Sequence, residues 1–340
     1  MPVVDLIEAS DQRVAIDLMV AKAQKALLME EDDLAAALFN TYERELKVLI
    51  QDLVALNYPV INSETMRISQ WRKLKLDQAS IELIATRMTG INQVVAQDLL
   101  DDLTAFYKHD YSMTSWTIDQ STPPNIEPRY TMPTDDVIKV FVASPWKGEM
   151  FSDRLWAINN EMARRLQRSL TDGIQAGDSM DDIARSMRKD VGVPPSEKLS
   201  TRPRASAQVY RAMLIARTEA MRVSSMVRNH LYDQNKDILQ DMVWQAAPGF
   251  IRVCDECAER DGMTKDEVVE EYGEMEAETP LHPNCRCIYA LVPKPFQTWT
   301  QDYWKDYTGQ EPGEYAMVLP DSSGVVASVK VVPYEDWMNS

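Results

Sequence analysis

Four cysteines occur in the chain, and all of them fall between Cys254 and Cys287. They read Cys254-Asp255-Glu256-Cys257, then 24 intervening residues, then His282-Pro283-Asn284-Cys285-Arg286-Cys287. A C-x2-C pair followed by a second cluster of soft donors is the grammar of a zinc site. Two residues between thiols let one tight turn aim both sulfurs at a single ion. Zinc takes four ligands at about 2.0–2.3 Å, so the second cluster must fold back to close the tetrahedron. His282, Cys285 and Cys287 are three candidates for two positions; Cys254, Cys257, Cys285 and one of His282 or Cys287 is the expected set. Two disulfides between the pairs, or free buried thiols, are the alternatives. A closed four-ligand site is structural, because a catalytic zinc keeps a position open for water. Asp255, Glu256 and Glu259 offer carboxylates beside it, but their neighbours mark a solvated acidic surface.

The elements that must position this cluster are mostly helical. Gly is nearly absent from the first 110 or so residues, and Leu27, Leu28, Leu34, Leu38, Leu46, Leu49, Leu53 and Leu56 recur at helical spacing. Asn57-Tyr58-Pro59 breaks that run. A second long segment, with Ile81, Ile84, Met88, Ile91, Val95 and Leu99 on one face, is expected to end near Tyr107. The reading is a helical hairpin or bundle over 1–111, suited to docking on a partner. Pro123, Pro124, Pro128 and Pro133 predict an irregular arm from 112 to 134 within a linker over 112–150. Val137–Val142 is a short strand or a helix start. A helix follows from Phe151 and ends at Gly173 and Gly177, with Leu155, Ile158, Met162, Leu166 and Leu170 on one face. Shorter and longer helices are expected over Met180–Lys189 and from Ala205 to Asn235. Strands are expected at Met242–Trp244, Phe250–Val253, Ile288–Leu291 and Val325–Val332. The tail over 296–340 carries Trp299, Tyr303, Trp304, Tyr307, Tyr315, Tyr334 and Trp337, and either packs over the core or is recognised by a neighbouring subunit. The fold class expected is mostly α, with a smaller α+β C-terminal module around the Cys/His cluster.

Composition bounds the partners. The 340 residues are 45% hydrophobic and 26% charged, as in a soluble globular protein. With 53 acids against 36 Lys and Arg, the formal net charge is −17, which argues against a free-standing, sequence-independent DNA binder. The charge is uneven. Residues 147–222 hold 14 Lys or Arg against 10 acids, whereas 254–278 hold 11 acids against two bases. Arg164, Arg165, Arg168, Arg185, Arg188 and Lys189 are therefore the candidate nucleic-acid contacts, and an ordinary mixed-charge helix face is the alternative. No apolar run reaches the roughly 18 residues of a membrane span. Asp5, Glu8 and Asp11 come too early for a signal peptide, so a cytoplasmic setting is expected.

Several motifs in fixed order carry a family resemblance. They are Ile215-Ala216-Arg217-Thr218-Glu219 in a helix, Trp244 on a strand, Cys254-x2-Cys257, Gly262, and Pro280-Leu281-His282-Pro283-Asn284-Cys285-Arg286-Cys287. This order resembles the head morphogenesis domain of tailed bacteriophages, the family of the Mu F protein and the SPP1 minor head protein, over roughly 151–295. The acidic segment between Gly262 and Pro280 is longer than the family pattern. The resemblance implies a minor head protein, assembled in the host cytoplasm and housed in the virion near the portal. Portal or major capsid protein would be its partner, with a role in DNA packaging or delivery. Beside it stands a residue-level expectation: Arg217, Glu219, His282 and Arg286 form a structural polar network, since buried charges need partners. An enzyme or toxin-like effector using Arg217, Glu219 and His282 is the competing class. Against it, the chain has no G-x-x-x-x-G-K-[ST], H-E-x-x-H or G-x-S-x-G motif, and no catalytic residue is assigned.

Overall fold

The computed structural model describes residues 6–7, 12–55, 70–122, 127–176, 178, 180–191, 207–246, 253–294, 329–330 and 338. Among them are eight α-helices and two antiparallel strand pairs. In chain order these are β1 (Leu6–Ile7), α1 (Gln12–Ala55), α2 (Gln70–Ser121), α3 (Asp135–Ala143), α4 (Phe151–Ala176), α5 (Met180–Val191) and α6 (Ala207–Gln234), then β2 (Leu239–Gln245), α7 (Asp255–Glu259), α8 (Lys265–Tyr272), β3 (Ile288–Pro293) and β4 (Val329–Lys330). The mostly α chain with a small strand pair beside the Cys/His cluster is the class expected from sequence. The described residues pack into two compact units, one from 1–31, 103–142 and 218–340, the other from 32–102 and 143–217.

The second unit is helix on helix. Leu38, Tyr42, Leu46, Leu49 and Leu53 of α1, Ile84, Met88, Ile91, Val95 and Leu99 of α2, and Leu155, Met162, Leu166 and Leu170 of α4 are buried. These positions recur at intervals of three, four or seven residues, so each helix presents one apolar stripe. A polar chain runs through this core: Tyr42 Oη donates to Asn159 Oδ1 at 2.8 Å, and Asn159 Nδ2 donates to Asn92 Oδ1 at 2.9 Å. α4 ends at Ala176, beside the expected Gly177, but Gly173 does not stop it. Gly173 lies inside the helix, where an ideal Cβ would sit 2.5 Å from Ile183 Cγ1 of α5. The missing side chain lets α4 and α5 approach closely.

In the first unit, helix replaces much of the irregular arm expected over 112–134. α2 continues to Ser121 because the hydroxyls bond the helix's own carbonyls instead of competing with it. Ser112 Oγ donates to Lys108 O at 3.0 Å, Thr117 Oγ1 to Met113 O at 3.0 Å, and Ser121 Oγ to Thr117 O at 2.8 Å. Tyr111, Met113, Trp116 and Ile118 give that extension a buried face. The 137–142 segment is helical, as α3, and buries Ile138 and Val142. β2 pairs antiparallel with β3, with Trp244 opposite Tyr289; their rings meet edge to face at 5.3 Å. Of the strand expected at 325–332, Val329–Lys330 pairs with Leu6–Ile7. The aromatic tail and the strand expected at 250–253 fall almost wholly outside the described residues.

Candidate metal centre

The acidic segment between the two cysteine clusters is folded. Cys254 is the N-cap residue of α7, so Cys257 falls three residues on, on the same side of the first turn. Asp255 and Glu256 lie in that turn, where the helix dipole favours acids. α8 begins with a capping box: Thr264 Oγ1 accepts from Glu267 N, and Glu267 Oε2 accepts from Thr264 N. The segment is tied to the strands. Trp244 N donates to Met263 O at 2.8 Å, Gly262 N to Trp244 O at 2.9 Å, and Ala246 N to Asp261 Oδ1 at 2.8 Å. Gly262 has φ +83°, a left-handed position that suits glycine. Arg260 is buried, with its guanidinium 4.0 Å from the Tyr272 ring centre. Tyr289 Oη donates to Ala277 O at 2.8 Å and closes the module from the β3 side.

These ties bring the second cluster back onto the first. His282 Nε2 lies 3.1 Å from Cys254 Sγ and 3.4 Å from Cys257 Sγ. Cys257 Sγ lies 3.7 Å from Cys285 Sγ. The donors form two triples sharing Cys257: Cys254, Cys257 and His282, and Cys257, Cys285 and Cys287. Cys257, Cys285 and Cys287 are buried, and Cys254 is exposed. The thiols are not bonded as disulfides. Hydrogen bonds from Cys257 and Cys287 hold the Cys285 thiol well below its usual range, so an anionic sulfur is favoured there. The same contact with Cys285 pushes Cys257 up. Burial opposes a charge on His282, but the Pro283 carbonyl and the Cys285 and Cys254 sulfurs outweigh it and raise its pKa. Three thiols, an imidazole and a fourth thiol within reach are a donor set that could hold a metal ion.

The turn carrying His282 and Cys285 is anchored outside the cluster. Asn284 has φ +61°, the left-handed region that Asn tolerates, and its N–H donates to Thr218 Oγ1 of α6 at 3.0 Å. Arg286 meets Glu31, which is fully buried, at 3.3 Å. Glu219 pairs with Arg222 at 2.7 Å, both side chains almost wholly buried, and Arg222 also donates to Val142 O. Arg217 pairs with Asp32 at 2.7 Å. Among their partners, Arg217 has Asp32, Glu219 has Arg222, His282 has Cys254 and Cys257, and Arg286 has Glu31. Sequence reasoning missed Thr218, Arg222 and Glu31. A Thr between two charged residues in a helix was the available sign for Thr218; Glu31 has none, since it is one of four consecutive acids from Glu30 to Asp33.

The candidate nucleic-acid contacts lie in the second unit. Arg164, Arg165 and Arg168 surround Glu161 at 3.7, 3.2 and 3.7 Å and remain substantially exposed. Arg185 pairs with Asp182 at 2.6 Å. Arg188 and Lys189 occupy the last turn of α5.

The class defined by this geometry is a small α+β module, with two sheet strands and two short helices gathered by a Cys/His cluster against a long helix. Comparison with known proteins finds a match over part of the chain: residues 164–290 match the family model described as phage Mu protein F like protein, which supports a phage head morphogenesis domain over that stretch. No curated protein and no solved structure matches the chain. No helix of the described residues is long and apolar enough to cross a membrane.

Proposed function

We propose that this protein is a minor head protein of a tailed bacteriophage, a structural and assembly component that binds portal or major capsid protein while the head is built. The observation that carries the proposal is the family match over 164–290, which contains the whole ordered motif set from α6 to β3. In this reading the chain divides along its sequence into a helical docking segment (1–111), a connecting region (112–150) that holds the end of α2 and all of α3, the morphogenesis domain (151–295) and an aromatic tail (296–340). It resides inside the virion near the portal, having assembled in the host cytoplasm. Its role is to hold parts together, without turnover of a substrate. The Cys/His cluster holds a structural Zn²⁺. The donors are a soft sulfur and imidazole set, which suits zinc over hard cations, and the segment between the two cysteine clusters buries few apolar side chains of its own, among them Val268, Ala277 and Leu281.

The test is co-purification of the full-length chain with the portal and the major capsid protein of the same phage. Stable binding to one of them is expected, and failure to bind either overturns the proposal. The Arg164–Arg165–Arg168 group favours a second reading, contact with packaged DNA that assists its organisation or delivery. Three exposed guanidiniums share one carboxylate, which leaves positive charge unbalanced on that face. Binding to duplex DNA should then fall steeply with added salt, and replacement of all three by Ala should flatten that dependence. No binding at low salt removes this reading.

A further inference from the structure

The zinc reading leaves five donors for four positions, and the geometry chooses among them. We infer that the ligands are Cys254, Cys257, Cys285 and the Nε2 of His282, with Cys287 standing outside the coordination sphere as a thiol that donates to the ligand sulfurs. The inference rests on the cluster being a zinc site; it adds which atoms bind and what the remaining cysteine does.

Backbone spacing is the first argument. Cys254 and Cys257 are three residues apart, and so are His282 and Cys285. The chain therefore presents two turns of the same length, C-x2-C and H-x2-C, each offering two donors to a common centre. The second turn is closed by Cys285 N donating to His282 O at 3.1 Å and is bent by the left-handed Asn284. Cys287 lies beyond that turn. It directly precedes β3, whose first residue Ile288 is already in register with Gln245 of β2. The sheet, not the turn, sets where Cys287 can go.

The distances are the second argument. A tetrahedral zinc with bonds of about 2.3 Å to sulfur and about 2.0 Å to nitrogen has S···S edges of about 3.8 Å and S···N edges of about 3.5 Å. The Cys257–Cys285 separation is 3.7 Å, and His282 Nε2 lies 3.4 Å from Cys257 and 3.1 Å from Cys254. Three of the six edges thus have the lengths a zinc tetrahedron needs, and an ion would have to draw Cys285 in toward Cys254 and His282 to complete it. Cys285 and Cys287 both join the Cys254–Cys257–His282 triple through Cys257, so the H-x2-C turn, and not distance, separates the two.

Imidazole orientation is the third. His282 Nδ1 lies 3.0 Å from Pro283 O, a carbonyl that can only accept, so Nδ1 carries the proton. The Nε2 lone pair is left facing the sulfurs. A ligand imidazole whose other nitrogen is bonded to a backbone carbonyl is the usual outer-shell arrangement. Cys287 is buried beside Cys257 and Cys285, and a protonated thiol there stabilises the thiolate charge without sharing the metal. Through Asn284 and Thr218 the ion would also fix the H-x2-C turn to α6.

The test uses the full-length chain, purified under reductant from zinc-supplemented cells. One zinc per chain is expected, and X-ray absorption of the unmodified protein should show three sulfurs and one nitrogen, a readout that needs no variant. Cys287→Ser should still bind one zinc, weakened about 10-fold, as for an outer-shell partner. His282→Ala and Cys254→Ser should each lose affinity by about 100-fold or more. With Co²⁺ in place of zinc, Cys254→Ser should lose about a third of the thiolate charge-transfer intensity, and Cys287→Ser none. Four sulfurs in the unmodified protein, or loss of zinc in Cys287→Ser with retention in His282→Ala, overturns the ligand choice and leaves a zinc site standing. Metal-free protein whose thiols are titratable or paired as disulfides overturns the zinc reading itself. Binding to portal or capsid protein is measured separately, so failure of the head-protein proposal is distinguishable from both.

Discussion

The helices of the second unit and residues 218–294 of the first are held in different ways. Along α1, Leu38, Tyr42, Leu46, Leu49, Ile50 and Leu53 are all within a few per cent of full burial, and α2 and α4 answer with stripes of the same kind. Long helices of this type gain from the area they cover. Residues 253–294 have much less to cover. Before β3 their buried aliphatic residues are Val268, Ala277 and Leu281. What they bury instead is polar or reactive: Arg260, Thr279, Cys257, Cys285 and Cys287, while α6 contributes Glu219, Arg222 and Arg228. The apolar core of this lobe sits on β2, β3 and α6, with Trp244, Val227, Leu231 and Ile288 buried; the segment between the cysteine clusters is defined by specific pairings, and such pairings fail abruptly when one partner is lost.

The sharpest way to break this contrast is Glu219→Ala. It leaves Arg222, 5% exposed at the side chain, without the carboxylate it meets at 2.7 Å. Removing one member of a buried pair costs about 3–5 kcal/mol, since the other charge stays buried. Denaturant unfolding should show that loss, and adding Arg222→Met should recover a large part of it. A change below about 1 kcal/mol for the single variant would mean the pair does not hold this region as described. In the helical unit the matching change is Leu49→Ala. It should cost about 3 kcal/mol by the same measurement, as a cavity in an apolar core does, and no polar substitution should rescue it. A rescue would erase the distinction between the regions.

Gly173→Ala sharpens the picture of the helical unit. A Cβ would stand 2.5 Å from the branched, backbone-proximal Cγ1 of Ile183, so α4 and α5 must separate. Overpacking of this size costs about 1–3 kcal/mol, against a gain of about 1 kcal/mol in helix propensity. A net loss that Ile183→Ala relieves is expected; a stabilised Gly173→Ala would show that the close approach of α4 to α5 is not tight.

The sequence shows the helical half well because stripes at three- and four-residue spacing are a local signal. The ends of helices were less legible. Ser and Thr near Ser112–Ser121 look like loop formers until their hydroxyls are seen bonding carbonyls four residues back, and Gly173 looks like a stop until Ile183 is beside it. The candidate site was half legible. Cysteine and histidine spacing shows which residues gather, because a C-x2-C turn is local. It does not show which donors meet, because that depends on the β2–β3 register and the capped α8 between the clusters. Glu31 and Arg286 are 255 residues apart in the chain, and no local pattern announces such a pair.

The smallest expected effect is a pH dependence that carries opposite signs within the first unit. His109 of α2 meets Glu30 of α1 at 2.7 Å, and that hydrogen bond raises its pKa above the ordinary 6.5. A raised folded pKa means the folded protein holds the proton more tightly. The stabilisation is fully present below pH 6.5 or so and is lost as pH rises through the folded value. Both side chains are about a third exposed, 36% and 35%, so solvent screens the pair and the effect should stay within about 1 kcal/mol. His230 behaves the other way. Burial lowers its pKa, with Tyr107 Oη at 3.1 Å from Nδ1, so its neutral form is favoured on folding. Its stabilisation is present above about pH 6.5 and is lost as pH falls through the folded value. Urea unfolding at pH 5 and pH 8 separates the two. His109→Asn should destabilise more at pH 5 than at pH 8, and His230→Asn more at pH 8 than at pH 5. The same sign for both would show that one of the two contacts does not govern its histidine.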